Sequence, residues 1–261
     1  MAEETRVPIR EKAGYALGDV ASCIFWQTLG SFLLFFYTDV FGISAAAAGT
    51  MFLVTRLWDA VNDPMLGAIA DRTKTRWGKF RPYLLWMAVP FGISGVLLFT
   101  TPDFGPTGKL VYAYITYNLM MMVYTAINIP YSSLLGVITS NPVERVSLSS
   151  YKFVGAFTGG LLIQAFTLPL VGYFGQGNRA VGFQYTMILY AVVAVALFVA
   201  TFLSIKERVQ PVAGQKSKII DDLRDLSKNK PWIILLLLGL FTLAYVAIRN
   251  GITLYYFRYY A

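Results

Sequence analysis

Apolar residues fall into seven long runs, at roughly residues 15–38, 45–70, 82–101, 110–138, 151–174, 181–204 and 231–257. Each holds the ~20 residues that an α-helix needs to cross a hydrocarbon core of ~30 Å. The pattern therefore predicts an all-α polytopic membrane protein with six closely spaced helices over 1–204, a polar linker over 205–230 and a seventh helix over 231–261. The linker is broken by proline and glycine before Ile219-Ile-Asp-Asp-Leu-Arg-Asp-Leu226, which has the pattern of a short amphipathic surface helix.

Composition agrees with the pattern, since 56% of the residues are hydrophobic and only 14% are charged. The net charge of +8 raises the question of nucleic acid, but its placement answers it. If the runs alternate across a membrane, 17 of the 22 basic residues lie on one side, in the N-terminus, the 71–81 loop, the 139–152 region and the 205–230 linker. The positive-inside rule puts that side, and the N-terminus, in the cytoplasm. The basicity thus encodes topology and predicts no nucleic-acid partner.

The charged N-terminus leads into a full-length apolar run with no small-residue cleavage site, so the first helix is expected to stay as an anchor. The chain has no histidine and a single cysteine, Cys23, which removes the usual general base, a multi-cysteine metal site and any intrachain disulfide. No nucleophile–base constellation or phosphate-cradling loop is present either, so an enzyme is not expected, and neither is a cofactor.

The second run carries Arg56, Asp59 and Asp63 at membrane depth. At about 100° per residue these three occupy a sector of ~60° on one helix face. An ionisable group there costs roughly 2.5–3.5 kcal/mol on insertion scales, so three on one helix imply a compensating structure and point to ion handling. Pro64 removes the hydrogen bond to the Ala60 carbonyl, a further candidate oxygen ligand. Such an all-oxygen site suits a proton or a hard monovalent cation. A purely structural pairing of Arg56 with the acids is the alternative.

The fourth run repeats the design with uncharged groups. Tyr124, Asn128 and Ser132 recur every four residues, with Thr125 beside them and Pro130 freeing the Ala126 carbonyl. This polar stripe is a candidate substrate or ion site, or else a set of interhelical hydrogen bonds. Asp19 lies inside the first run, where it can meet Lys152, the basic loop or water. Lys152 can snorkel to the interface. Trp26, with Gln27 and Thr28, offers an aromatic face suited to a sugar ring, or to the membrane interface. Gly14/Gly18 and Gly155/Gly159 have the spacing of close helix contacts.

Several segments together closely resemble the glycoside–pentoside–hexuronide:cation symporters, the melibiose-carrier family of the major facilitator superfamily. They are Gly14-Tyr-Ala-Leu-Gly-Asp19, Tyr37-Thr-Asp-Val-Phe-Gly42, the stretch from Gly49 to Pro64 with its paired aspartates, Ala70-Asp-Arg-Thr-Lys-Thr-Arg-Trp-Gly-Lys-Phe-Arg-Pro82, and Asn128-Ile-Pro-Tyr131. The resemblance implies a twelve-helix carrier of the bacterial inner membrane that moves a sugar or glycoside together with H⁺ or Na⁺ by alternating access. On that layout the chain is the N-terminal six-helix bundle plus one helix of the second half, and its partner is the C-terminal half of the same carrier. Five helices are then missing, which makes the chain a fragment or a truncated product.

The resemblance implies cation ligands at Asp59 and Asp63, sugar and cation sites at Tyr124 and Thr125, and a sugar-contacting basic residue at the position of Lys152; together with the helix-face readings above, this gives the candidate assignments. Asp59 and Asp63, with Thr125 and Asn128, would hold the cation. Tyr124, Lys152, Asp19, Trp26 and Ser132 would serve the substrate. Arg56, Pro64 and the loop residues Asp71, Arg72, Arg76, Gly78, Lys79 and Arg81 would shape or gate the path. The chain departs from the melibiose carrier at Asn128 and Cys23, where that protein has acids, and at Lys152, where the family usually has arginine. Fewer carboxylates favour H⁺ over Na⁺, because two close aspartates resist joint ionisation and can share a proton. The departures also favour a pentoside, xyloside or hexuronide over a galactoside. A carrier of a lipid or other amphiphile, and a non-transporting fragment, are the rival readings.

Overall fold

The computed structural model describes residues 6–209 and 228–259, which belong to two separate compact units divided after Gln210. The larger unit is built from α1 (Ile9–Phe35), a π-helical turn (Phe36–Phe41), α2 (Ala45–Arg72), α3 (Arg81–Trp86), α4 (Ala88–Leu98), α5 (Pro106–Ile138), α6 (Pro142–Gly175) and α7 (Arg179–Ser204). The smaller unit contains α8 (Lys230–Tyr259). Among the described residues there is no strand, only an isolated bridge between Thr75 and Gly78. The amphipathic stretch expected at 219–226 lies outside the described residues.

Among the described residues four helices are both long and apolar enough to cross a membrane: Ile9–Phe41, Pro106–Ile138, Pro142–Gly175 and Arg179–Ser204. α2 matches them in length with 28 residues but is more polar, because Arg56, Asp59 and Asp63 interrupt its middle. The third expected span differs from the reading as one continuous run. It is two helices hinged at Met87, and the cause is Pro90, which has no N–H to offer the carbonyl of Trp86, the last residue of α3. Hydrogen bonds from Met87 N to Tyr83 O and from Phe91 N to Met87 O, 2.9 and 2.8 Å, carry the chain across the hinge.

Several helices begin before their apolar runs. α6 starts at Pro142, nine residues ahead of the expected 151, with Asn141 as its cap; the Asn141 side chain accepts from Val143 N (2.9 Å) and Glu144 N (3.5 Å). Asparagine followed by proline at the first helical position is a strong start signal. α1 likewise begins at Ile9, with polar first turns.

α1 packs against α6 and α7, α4 against α5 and α7, and α2 against α5. The α1–α6 approach depends on Gly155, where an added Cβ would sit 2.8 Å from the Ala16 carbonyl oxygen. At one end of the bundle Phe36, Phe41, Phe99 and Phe183 form an aromatic cluster with ring separations of 4.9 to 6.1 Å.

The other end carries the chain's N-terminus and is tied together by ions. Glu11 of α1 takes Arg208 at 2.6 Å and the backbone N–H of Lys206 at 2.9 Å. Glu144 of α6 takes Lys12 at 2.9 Å and the Val7 N–H at 3.0 Å. The hydrogen-bonded Glu11 carboxylate raises the affinity of Arg208 for its proton above the ordinary value. The start of the linker is therefore part of the bundle rather than a free tether.

Candidate functional site

Along α2, which packs on α5, the buried residues Ala48, Met51, Thr55, Asp59 and Asn62 form a stripe with steps of three and four. Asp59 is only 7% exposed and Asn62 only 6%. Arg56 and Asp63 lie at the edge of this stripe, about 60° and 40° round from Asp59. Arg56 Nη1 stands 3.6 Å from Asp59 Oδ2, a charge contact just beyond hydrogen-bond length. Both Asp59 oxygens lack a hydrogen-bond donor, as do the Thr55 hydroxyl and the Asn62 amide nitrogen a partner. Buried polar atoms are nearly always satisfied, so this cluster of orphans is the candidate place for an ion or water.

Asp63 is reached from α5. The Thr125 hydroxyl donates to Asp63 Oδ1 at 3.0 Å, so the two helices meet through a carboxylate and a hydroxyl. Asn128 is half-buried one turn further along α5, and Ser132 is exposed on the same stripe. Both α2 and α5 run unbroken through Pro64 and Pro130. Ala60, whose carbonyl Pro64 leaves without an amide partner, lies on the exposed side of α2.

On α1, Trp26 stacks on Tyr124 of α5 with ring centroids 5.0 Å apart, and the Arg56 guanidinium sits 5.5 Å from the Trp26 ring. Arg56 therefore spans from the carboxylate cluster to an aromatic platform. Below the platform, Asp19 and Lys152 form an ion pair at 3.7 Å, and Lys152 Nζ stands 5.4 Å from the Tyr131 ring. Tyr131, the tyrosine of Asn128-Ile-Pro-Tyr131, stacks on Tyr15 at 4.9 Å and donates its hydroxyl to the Tyr15 carbonyl at 2.6 Å. Of the contacts open to Asp19 in the sequence, the one made is with Lys152. Lys152 is the eleventh residue of α6, about 15 Å into the helix at 1.5 Å per residue. It reaches sideways to Asp19 instead of snorkelling to the interface.

The basic loop forms a second cluster at the N-terminal end of the bundle. Lys79 pairs with Asp71 at 2.8 Å, and Arg81 donates to the Phe202 and Trp77 carbonyls at 2.7 and 3.3 Å. Arg72 and Arg76 are exposed, the latter 4.8 Å over the Trp77 ring. Gly78 has φ +114°, and an added Cβ would collide with the carboxylate of Glu207 at 2.5 Å. That carboxylate accepts the N–H groups of Lys79, Phe80 and Arg81, each at 2.8 Å.

Sequence reasoning did not single out Thr55, Asn62, Glu11 or Glu207. Thr55 and Asn62 were within reach, since they extend the helical spacing of Asp59 by one turn in each direction. Glu207 was not, because its partners are backbone amides some 130 residues away.

Residues 14–261 match the family described as MFS/sugar transport protein. The chain belongs to that family. It is 46% identical over 248 residues to the inner membrane symporter YicJ of Escherichia coli (strain K12), covering 95% of this chain and 54% of that protein. It is 44% identical over 255 residues to the putative glycoside/cation symporter YagG of the same organism, covering 98% and 55%. It is 43% identical over 256 residues to the isoprimeverose transporter of Lactiplantibacillus pentosus, covering 97% and 53%. The chain spans about half the length of the curated relatives it matches.

Proposed function

We propose that this chain is the N-terminal half of a secondary active symporter that moves a sugar or glycoside with H⁺ or Na⁺ across a bacterial inner membrane. Residues 1–204 are its six-helix bundle, 205–230 the cytoplasmic linker and 231–261 the first helix of the second half, with the N-terminus cytoplasmic. The observation that carries the reading is the buried Asp59 carboxylate with its two unpartnered oxygens, beside an Asp63 that Thr125 holds from the facing helix. The names of the relatives favour a sugar over a lipid cargo and transport over enzymatic chemistry.

The cation binds between Asp59 and Asp63, with Thr125, Asn128 and Asn62 completing an oxygen-rich site. Its charge competes with Arg56 for Asp59. Arg56, freed from the acid, is left to the Trp26–Tyr124 platform, where a sugar ring stacks against the aromatic face. Occupation of one site thereby alters the other, and this coupling is reciprocal in binding free energy. Asp19, Lys152 and Ser132 line the substrate side, while Asp71, Arg72, Arg76, Gly78, Lys79 and Arg81 set the cytoplasmic end of the path. The proton is favoured over sodium, since one proton shared between two carboxylates satisfies a site with few acids.

Uptake of a labelled glycoside into vesicles holding the full-length carrier tests the reading. Accumulation driven by an inward proton gradient is expected. Stimulation by a sodium gradient at fixed pH, with none by a proton gradient, would reassign the ion, and no gradient-driven uptake of any glycoside would reject symport.

A further inference from the structure

We propose that the carrier selects its cargo by charge, taking uncharged pyranosides in preference to hexuronates, and that the Asp19–Lys152 pair sets this preference. The proposal rests on the sugar-symport reading above and narrows its substrate class. A free lysine in a sugar site would be a natural receptor for a uronate carboxylate. Lys152 is not free. It lies 3.7 Å from Asp19, with the two side chains only 25% and 13% exposed.

The pair is held from several sides. Tyr131 flanks Lys152 and is itself fixed by its stack and hydrogen bond on Tyr15. The two helices that carry the pair cannot slide apart freely, because Gly155 of α6 is packed directly on Ala16 of α1. Drawing Lys152 over to a substrate carboxylate would leave Asp19 buried without a counter-charge, which is strongly unfavourable.

Charge counting across the site points the same way. Asp19 is balanced by Lys152 and Asp59 by Arg56, whereas Asp63 meets only the Thr125 hydroxyl and has no cationic partner among the described residues. One monovalent coupling ion balances Asp63 and brings the site to neutrality. A neutral pyranoside then adds no charge, while a hexuronate leaves the site net negative even when it draws on the Arg56 guanidinium that the ion frees from Asp59.

The test uses p-nitrophenyl xyloside, glucoside and glucuronide, each as both anomers, so that the sugar carboxylate is the decisive variable. Their uptake by the full-length carrier is compared under one cation gradient, alongside ligand-induced thermal stabilisation of the purified protein. We expect the xyloside or the glucoside to be taken up at least ten-fold faster than the glucuronide. Asp19→Asn releases Lys152, and the discrimination should fall by ten-fold or more. The double variant Asp19→Asn with Lys152→Gln is charge-neutral, covers the case in which the single variant does not fold, and should restore the preference for uncharged sugars. Glucuronide uptake equal to or above that of the neutral glycosides would overturn the proposal while leaving symport standing. Uptake of none of the probes would remove the transport reading itself and the proposal with it. Unchanged discrimination in Asp19→Asn would show that the pair does not set the preference.

Discussion

At the scale of single residues, the site combines two unlike carboxylates. Asp59 is buried beside a half-exposed arginine, and Asp63 takes a hydroxyl from the neighbouring helix. A hydrogen bond to a charged group is worth about 1.5–3 kcal/mol and Thr125 donates to the ionised Asp63, so with H⁺ as the coupling ion Thr125→Ala should lower the proton concentration for half-maximal uptake about 10- to 100-fold. The maximal rate should change less. Asp63→Asn removes the charge itself and should abolish cation stimulation altogether. Flow dialysis or uptake titrations on the full-length carrier read both effects, and a Thr125→Ala variant with an unaltered cation dependence would separate Thr125 from the ion site. Arg56→Gln makes a different prediction, because Arg56 touches both the acid and the aromatic platform. Its loss should leave ion and sugar binding measurable but reduce the factor by which each strengthens the other.

At the scale of helices, small residues decide how closely α1 and α6 approach. A leucine at Gly155 would be driven into the Ala16 backbone, and overpacking of this kind costs about 1–3 kcal/mol. Gly155→Leu should therefore lower the melting temperature in detergent, whereas Gly136→Ala and Gly172→Ala, where nothing lies within 4 Å of the added carbon, should not. Equal melting of all three would mean that the contact carries no stability. The apolar runs made the helices legible because hydropathy reports what lies in lipid. They did not show where helices continue past it: α6 begins at Pro142 because Asn141 caps it, a signal in local polar residues. Nor did apolarity show the hinge at Met87, although Pro90 marks it by removing one backbone donor. The glycine spacing of α1 and α6 was readable as close packing, but not which surface each faces: Gly155 meets α1, while Gly14 and Gly18 meet Ser204, Tyr131 and Thr201 instead of a matching glycine pair.

For the larger unit as a whole, the positions of the charges follow two different rules. Within the long helices the ionisable residues Asp19, Arg56, Asp59, Asp63 and Lys152 stood out in the sequence, because each breaks an apolar run. At the N-terminal end of the bundle, charges are abundant and spacing cannot tell a solvated residue from a clasp. There the structure finds Glu207 bound to three consecutive amides of the 79–81 backbone, with Arg208 on Glu11 and the Arg208 and Val209 amides on the Val137 carbonyl at 2.8 and 2.9 Å. Three elements far apart in sequence, α1, the 79–81 segment and α5, are thus joined by three linker residues. Glu207→Ala leaves those three amides without their acceptor, at a cost of about 1–3 kcal/mol where water does not replace it. Hydrogen exchange at residues 79–81 should accelerate at least ten-fold, and trypsin should cut sooner after Lys79 and Arg208. Exchange in the helix interiors should stay as it was. Arg208→Ala, which breaks the Glu11 end of the clasp, should free the linker for proteolysis without accelerating exchange at 79–81. If both variants speed exchange at 79–81 equally, the clasp is one cooperative unit; if neither does, the loop is ordered by Arg81 and its hold on the Phe202 and Trp77 carbonyls instead.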